Sequence, residues 1–402
     1  MIGNRAATPW RLPEEAEMSV IDQYENLGPS VEDLPYWLAF AWLSGPGLSS
    51  RKITRLFELF TSLKEAWRAR DEELRKIPWL NEMGSERLIS GRKEVEPLGL
   101  LEKIKNQNVA VLHFFHPDYP ALLRQIHDPP LVLFHKGKLP LADLGKTVGV
   151  VGTRHPTVYG QRQAKQMSHD LAASGVTIIS GMALGIDSIA HWGAINASGR
   201  TVAVLGCGVD YCYPPTNRLL YKSLIENEGQ AVISEFFPGV RPEKWHFPAR
   251  NRIISGMSEA LLVIEAGEQS GALITAQMAF EQNREVFAVP GRVDNVMSYG
   301  TNGLIAKNQA HLCRNYKDIM IEKEWVSAPR GVNVPTIVEL YGREREVFDL
   351  ISSEPVHFDY LLEKTGMNTG ELSATLTMLE LAGVVARLPG DWYALEAQRA
   401  TV

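Results

Sequence analysis

Residues 147–187, TVGVVGTRHPTVYGQRQAKQMSHDLAASGVTIISGMALGID, hold a short apolar run, a glycine turn, a helical stretch and a second apolar run that again ends in glycine. Apolar runs of this length, bounded by turn residues, read as buried strands, and GQRQAKQMSHDLAAS reads as the helix that joins them. The alternation continues outward. VAVLHFF and PLVLFHKG precede this unit, and TVAVLG, AVIS, ALLVIEA and EVFAVPG follow it. DSIAHWGAINAS, PTNRLLYKSLIEN and SGALITAQMAFEQN supply further helices. The pattern predicts an α/β fold with a mostly parallel sheet covered on both faces. Strand order is not legible at this level.

The flanks read differently. Residues 1–30 are polar, contain proline and lack periodicity, as a flexible arm would. Residues 31–100 are helical, with Trp37, Phe40, Ala41, Ile53, Leu56, Phe57 and Phe60 spaced along helix faces. Two turns there, Gly45-Pro46-Gly47 and the one in IPWLNEMGSERLIS, resemble a SAM or helix-hairpin-helix pattern, whose amides can hold a phosphate. Eleven Lys and Arg against eleven Asp and Glu over this stretch leave no electrostatic excess for that task, so a packing or protein-contact module is expected. The α/β domain is placed at 105–325 and a linker marked by Pro329, Gly331 and Pro335 at 326–340. Residues 341–402 give three helical patterns and then GVVARLPGDWYAL, two apolar runs about a Pro389-Gly390-Asp391 turn, as in a winged helix. That domain has five cations against ten carboxylates, and its recognition segment NTGELSATLTMLELAG has no cation, so a protein-contact role is expected rather than duplex reading.

Over 402 residues the net charge is −6, which argues against a protein that coats nucleic acid by bulk positive charge. Any such site must be a local patch. The three cysteines, Cys207, Cys212 and Cys313, form neither a disulfide framework nor a zinc clamp, so a reducing compartment and no metal are expected. The first twenty residues lack the apolar core of a secretory signal, and no stretch approaches the roughly 18 apolar residues of a membrane span. A cytoplasmic protein without membrane contact is expected.

The glycine-rich strand ends are the candidate sites. Gly152-Thr153-Arg154 places glycine, a hydroxyl and a planar cation where ligands collect at the carboxyl edge of an α/β sheet; the alternative is a tight turn with a solvated arginine. Ser180-Gly181 and Gly185 repeat the arrangement, but their spacing departs from a dinucleotide fingerprint, which disfavours NAD and leaves phosphate contact. Ser270 and Gly271 open a helix whose amides suit another phosphate, with Glu265 and Glu268 expected to weaken it. Asp187 and His191, four apart, have the spacing of an acid/base pair, but a carboxylate at a helix start suits the macrodipole and needs no catalytic role. Cys207 reads as packing in a glycine turn. The most informative stretch is RPEKWHFPARNR, residues 241–252, with four cations against one carboxylate and aromatics interleaved. Cations there can neutralise phosphates while Trp245 or Phe247 offers a face on which an unpaired base stacks, a geometry that duplex DNA does not present.

Taken together, GTR at 152–154, SGMALGID, GCGVDYCYPPTN, FPARNRIISG, EAGEQSGALITA and VFAVPG resemble the DprA/Smf family of DNA-processing proteins, six motifs in order over residues 146–310. The resemblance implies an extended Rossmann-like fold that binds single-stranded DNA, forms a homodimer and loads RecA recombinase in natural transformation, with no catalytic residues and no cofactor. It also implies that Arg154, Lys244 and Phe247 hold the strand, with Phe247 as the stacking residue. Arg250, Asn251 and Arg252 match the polar part of the same motif, although buried carboxylates would remove the arginines from phosphate. Two rivals remain. A nucleotide phosphoribohydrolase would carry PGGxGT where this chain reads EAGEQSGALIT, and a duplex-DNA regulator would need a basic winged helix.

Overall fold

A computed structural model describes residues 33–105, 107, 109–325, 340, 342–351, 355–382, 384–388 and 390–395. The expected arm at 1–30 and the expected linker, Leu340 apart, lie outside these residues. The chain divides into two compact units, residues 1–323 and 324–402.

The first unit is built on a nine-stranded sheet in the order β1-β2-β6-β5-β4-β3-β7-β8-β9. Its strands are β1 Ala110–His113, β2 Val132–Gly137, β3 Thr147–Val151, β4 Thr177–Ser180, β5 Thr201–Val204, β6 Gln230–Ser234, β7 Ala260–Val263, β8 Glu285–Ala288 and β9 His311–Leu312. From β6 to β9 every neighbour pair is parallel, whereas β1 and β2 add an antiparallel pair at one end. All residues of β3 to β7 are buried, because helices cover both faces, and burial fails at β9. The sheet is thus α/β and mostly parallel, as the sequence predicts.

The order reverses at β3. From β3 the chain steps outward through β4, β5 and β6, then returns through the His246–Gly256 helix to lay β7 against the other side of β3. The loops leaving β3 and β7 therefore diverge, and a crevice opens at the carboxyl ends of these strands. The Val158–Ala173 helix, capped by Thr157, buries Ala164, Met167, Ser168 and Leu171 as one stripe. It lies so close to the Ile186–Asn196 helix that a Cβ at Gly193 would meet the Lys165 carbonyl oxygen at 2.9 Å.

The N-terminal helices do not keep a core of their own. Trp37, on the Leu34–Leu43 helix, stacks on His113 of β1 with ring centroids 4.8 Å apart, and Trp42 meets Phe237 edge-on. One hydrophobic core runs from Trp37 and Leu56 through Phe134 into the sheet. The Gly45-Pro46-Gly47 turn sits against Gly84, and Lys52 Nζ donates to the Gly47 carbonyl at 3.1 Å, so this turn serves packing between helices.

The second unit packs the Arg343–Leu350, Phe358–Thr365 and Thr369–Leu381 helices with a three-stranded sheet, β10 Val356–His357, β11 Val385–Leu388 and β12 Trp392–Leu395, in the order β10-β12-β11. Val347, Leu361, Leu372, Leu376, Leu379 and Tyr393 form its core. The sequence shows the two wing strands but not β10, which is two residues long. Asn368 and Glu371 form a capping box at the start of the third helix. Among the described residues, no helix is long and apolar enough to cross a membrane.

Candidate nucleic-acid interface

The crevice at the sheet reversal is a cleft of about 680 Å³. Val151, Gly152, Thr153 and Arg154 enter it from the end of β3, Ala183 from the turn after β4, Asp187 from the first turn of the Ile186–Asn196 helix, and Gly267, Gln269, Ser270 and Gly271 from the turn after β7. Lys244, Phe247, Arg250 and Asn251 come from the His246–Gly256 helix and the residues just before it. Three cations and one carboxylate line it.

The loop carrying Arg154 is fixed by hydrogen bonds. The Thr153 amide donates to the Glu265 carbonyl at 2.8 Å, and the Thr157 amide and hydroxyl donate to the Glu265 carboxylate at 2.9 and 2.6 Å. The Ile186 amide donates to the Thr153 carbonyl at 3.2 Å. Glu265 is thus turned inward and Glu268 lies on another hollow, so neither carboxylate lines the cleft. Arg154 reaches back over the Phe247 ring, its guanidinium carbon 5.6 Å from the centroid. Tyr213 lies on the same aromatic group, its ring 5.5 Å from that of Phe247. Arg154 and Lys244 are exposed, and neither has an ion pair among the described residues.

Arg250 and Arg252 behave differently from these two. Arg250 is buried; its Nη1 donates to the Gly181 carbonyl at 2.7 Å and to the Val204 carbonyl, and its Nε to Asn251 Oδ1 at 3.2 Å. It forms the charged floor of the cleft, and its donors are largely committed to the protein. Gly181 is glycine because a Cβ there would come within 2.6 Å of the Arg250 guanidinium carbon. Arg252 points elsewhere, gripping Glu235 through two bonds of 2.6 and 2.7 Å and Asp128 at 3.3 Å, and it lines a separate hollow with these carboxylates. The structure therefore does not bring Arg252 to the strand-binding group in which the sequence places it.

Of the expected loop contacts, Gly152, Thr153, Ser270 and Gly271 line the cleft, while Ser180 and Gly185 do not. The Ser180 hydroxyl is spent on the Val150 carbonyl at 2.6 Å, and Gly185, at φ +79°, turns the chain beneath Thr153 and Arg154. Gly181 edges the smaller adjoining hollow with Tyr213. Trp245 is 62% exposed beside Glu243 and lies outside the cleft lining, which leaves Phe247 and Tyr213 as its aromatic wall. The sequence reading assigns Tyr213 no role; its place after a glycine-rich strand end is the signal that could have found it.

Asp187 and His191 do not form a pair. His191 Nδ1 bonds Thr201 Oγ1 at 2.7 Å, and burial drives its pKa down to about 3. Burial pushes the Asp187 carboxyl up while the Arg250 guanidinium opposes that push. Burial also raises the Cys207 thiol to about 12, as expected of a packing residue.

Residues 110–324 match the family model for DNA recombination-mediator protein A, and residues 334–391 match the DprA winged helix domain. Protein Smf of Synechocystis is 36% identical over 392 residues, covering 89% of this chain and 98% of its own. The DNA processing protein DprA of Bacillus subtilis is 41% identical over 206 residues, 51% of this chain and 69% of its own. The X-ray structure of DNA processing protein A from Streptococcus pneumoniae aligns with a TM-score of 0.61 at 30% identity, over 71% of this chain and 96% of that one. Sequence, fold and winged helix agree, and the chain belongs to the DprA/Smf family of DNA-processing proteins.

Proposed function

We propose that this protein is a recombination mediator that binds single-stranded DNA in the crevice between β3 and β7 and delivers it to RecA recombinase in natural transformation, acting in the cytoplasm as a homodimer and without catalysis. The observation that carries the reading is the grouping in one cleft of Arg154 and Lys244, which have no ion pair among the described residues, with the half-buried face of Phe247. Phosphates need cations free of carboxylates, and a base needs an aromatic face. Arg250 backs the group from beneath, and the glycine turns bring the backbone close.

The chemistry of the remaining groups supports binding over catalysis. His191 bonds Thr201 through Nδ1, and burial that drives its pKa down to about 3 makes it a weak base. A thiol raised to about 12 is a poor nucleophile at neutral pH. Release of free base from a nucleoside monophosphate, abolished by Asp187→Asn, would revive the phosphoribohydrolase reading.

Gel-shift titrations of Arg154→Ala, Lys244→Ala and Phe247→Ala on single strands test the proposal, each substitution being expected to weaken binding. Parental affinity in all three would overturn it. Loading is read separately, as stimulation of RecA ATP hydrolysis on single strands, and the homodimer by sedimentation.

A further inference from the structure

Asp187 is an anomaly in a cleft for a polyanion. It is the one carboxylate among the described residues lining that cleft, and it is only 7% exposed. Its partners are backbone amides, Ala183 at 3.4 Å and Gly181, which leave part of a carboxylate's roughly four acceptor positions unused. The Arg250 guanidinium acts on it through space but does not bond it. Arg250 beneath it spends Nη1 on two carbonyls and Nε on Asn251, and among the described residues neither Arg250 nor Arg154 forms an ion pair with it. A buried acceptor that faces a ligand cleft and repels phosphate is suited to a donor-bearing group other than phosphate.

In a single strand those groups are the base edges, and they differ in pattern. Guanine presents two adjacent donors, N1–H and the N2 amino group, which match the two oxygens of one carboxylate. Adenine and cytosine each set an acceptor beside their donor, and thymine sets its single N3–H between two carbonyls, so each of these turns an acceptor toward the carboxylate. The same cleft supplies the stacking face, Phe247, with Tyr213 beside it.

We propose that the cleft selects a guanine base, seated on Phe247 and held at its Watson–Crick edge by Asp187, which makes Asp187 the specificity-determining residue. The inference rests on the single-strand reading above and deepens it. A strand bound through its phosphates would slide until a guanine occupies the cleft, giving a preferred register without a fixed sequence.

The test uses the full chain and fluorescence anisotropy with dT oligonucleotides carrying one central dG, dA, dC or deoxyinosine. Deoxyinosine keeps N1–H and lacks the N2 amino group. The dG strand is expected to bind about 5- to 150-fold tighter than the dT, dA and dC strands, the range for a good bidentate base contact, and deoxyinosine to lose most of that gain. Asp187→Asn, which turns one acceptor into a donor, is expected to erase the dG-to-dT ratio whatever its overall affinity. Equal affinity across the base series would overturn the guanine subsite while leaving strand binding intact, and a ratio that survives in Asp187→Asn would remove Asp187 from it. No binding to any strand would overturn the reading beneath both. The base series needs no variant, so a misfolded Asp187→Asn does not decide the outcome.

Discussion

Lys244 and Arg252 belong to one short basic stretch, and the structure gives them opposite fates that a paired measurement separates. Arg252 is 17% exposed and Glu235 18%, and their bidentate contact is joined by Asp128 at 3.3 Å. Arg252→Met leaves the Glu235 charge half-stranded in the protein. Breaking a buried pair from one side costs about 3–5 kcal/mol, and the share of surface that Glu235 keeps in water sets the expectation at the lower end, about 3 kcal/mol. At about 2 °C per kcal/mol for a unit of this size, the melting temperature falls by roughly 6 °C. The salt dependence of single-strand binding should not change, because this guanidinium meets carboxylates rather than phosphate. Lys244→Met should do the reverse: melting within about 1 °C of the parent, as for an exposed side chain, and a slope of log K against log salt lowered by about 0.7, one phosphate's worth on a single strand. Calorimetric melting and anisotropy titrations at several salt concentrations read both quantities. An Arg252→Met protein that melts with the parent and loses salt slope would refute the assignment.

Three further outcomes are expected. Gly181→Ala drives a methyl group into the Arg250 guanidinium, which two carbonyls hold in place, so the protein should lose about 1–3 kcal/mol in urea melts and bind single strands more weakly; parental values for both would show that Arg250 moves freely. Burial, the largest cause in each case, holds His113 and His191 at about 3 when folded, against about 6.5 unfolded, so the unfolded chain takes up protons first. Their contribution is complete above pH 6.5 and declines by up to about 1.4 kcal/mol per pH unit for each histidine as pH falls toward 3; His191→Gln should flatten urea-melt stability between pH 7 and 5, and an unchanged slope would contradict the burial. Deletion of residues 341–402 should leave most single-strand affinity, since the Thr369–Leu381 helix carries no cation; a loss beyond tenfold would move the main contact to the winged helix.

The sheet is legible in the sequence because strands buried on both faces must be continuous apolar runs, as TVGVV and ALLV are. Pairing direction is not, since the same apolar run suits an antiparallel β2 or a parallel β5, and β9 and β10 are too short to show a period. The helices that bear Trp37 read as a separate domain because periodicity reports which face is apolar but not what it meets; in the structure that face meets β1. Arg154, Lys244 and Phe247 converge as their motifs suggest. Arg252 does not, and its composition is identical to that of a phosphate ligand; only the distant Glu235 and Asp128 disclose its use. The inward turn of Glu265 is hidden for the same reason, its partner Thr157 lying far off in sequence.

The tie between Glu265 and the Thr153–Thr157 loop bears on kinetics. Arg154 rides on backbone bound to the end of β7 and to the start of the Ile186–Asn196 helix, so its anchor is in position before any strand arrives. The loss of freedom on complex formation then falls on the nucleotides, which must unstack and thread, rather than on the chain that receives them. Strands of different base content should reach the cleft at similar rates, and their differences should show in how long each one stays.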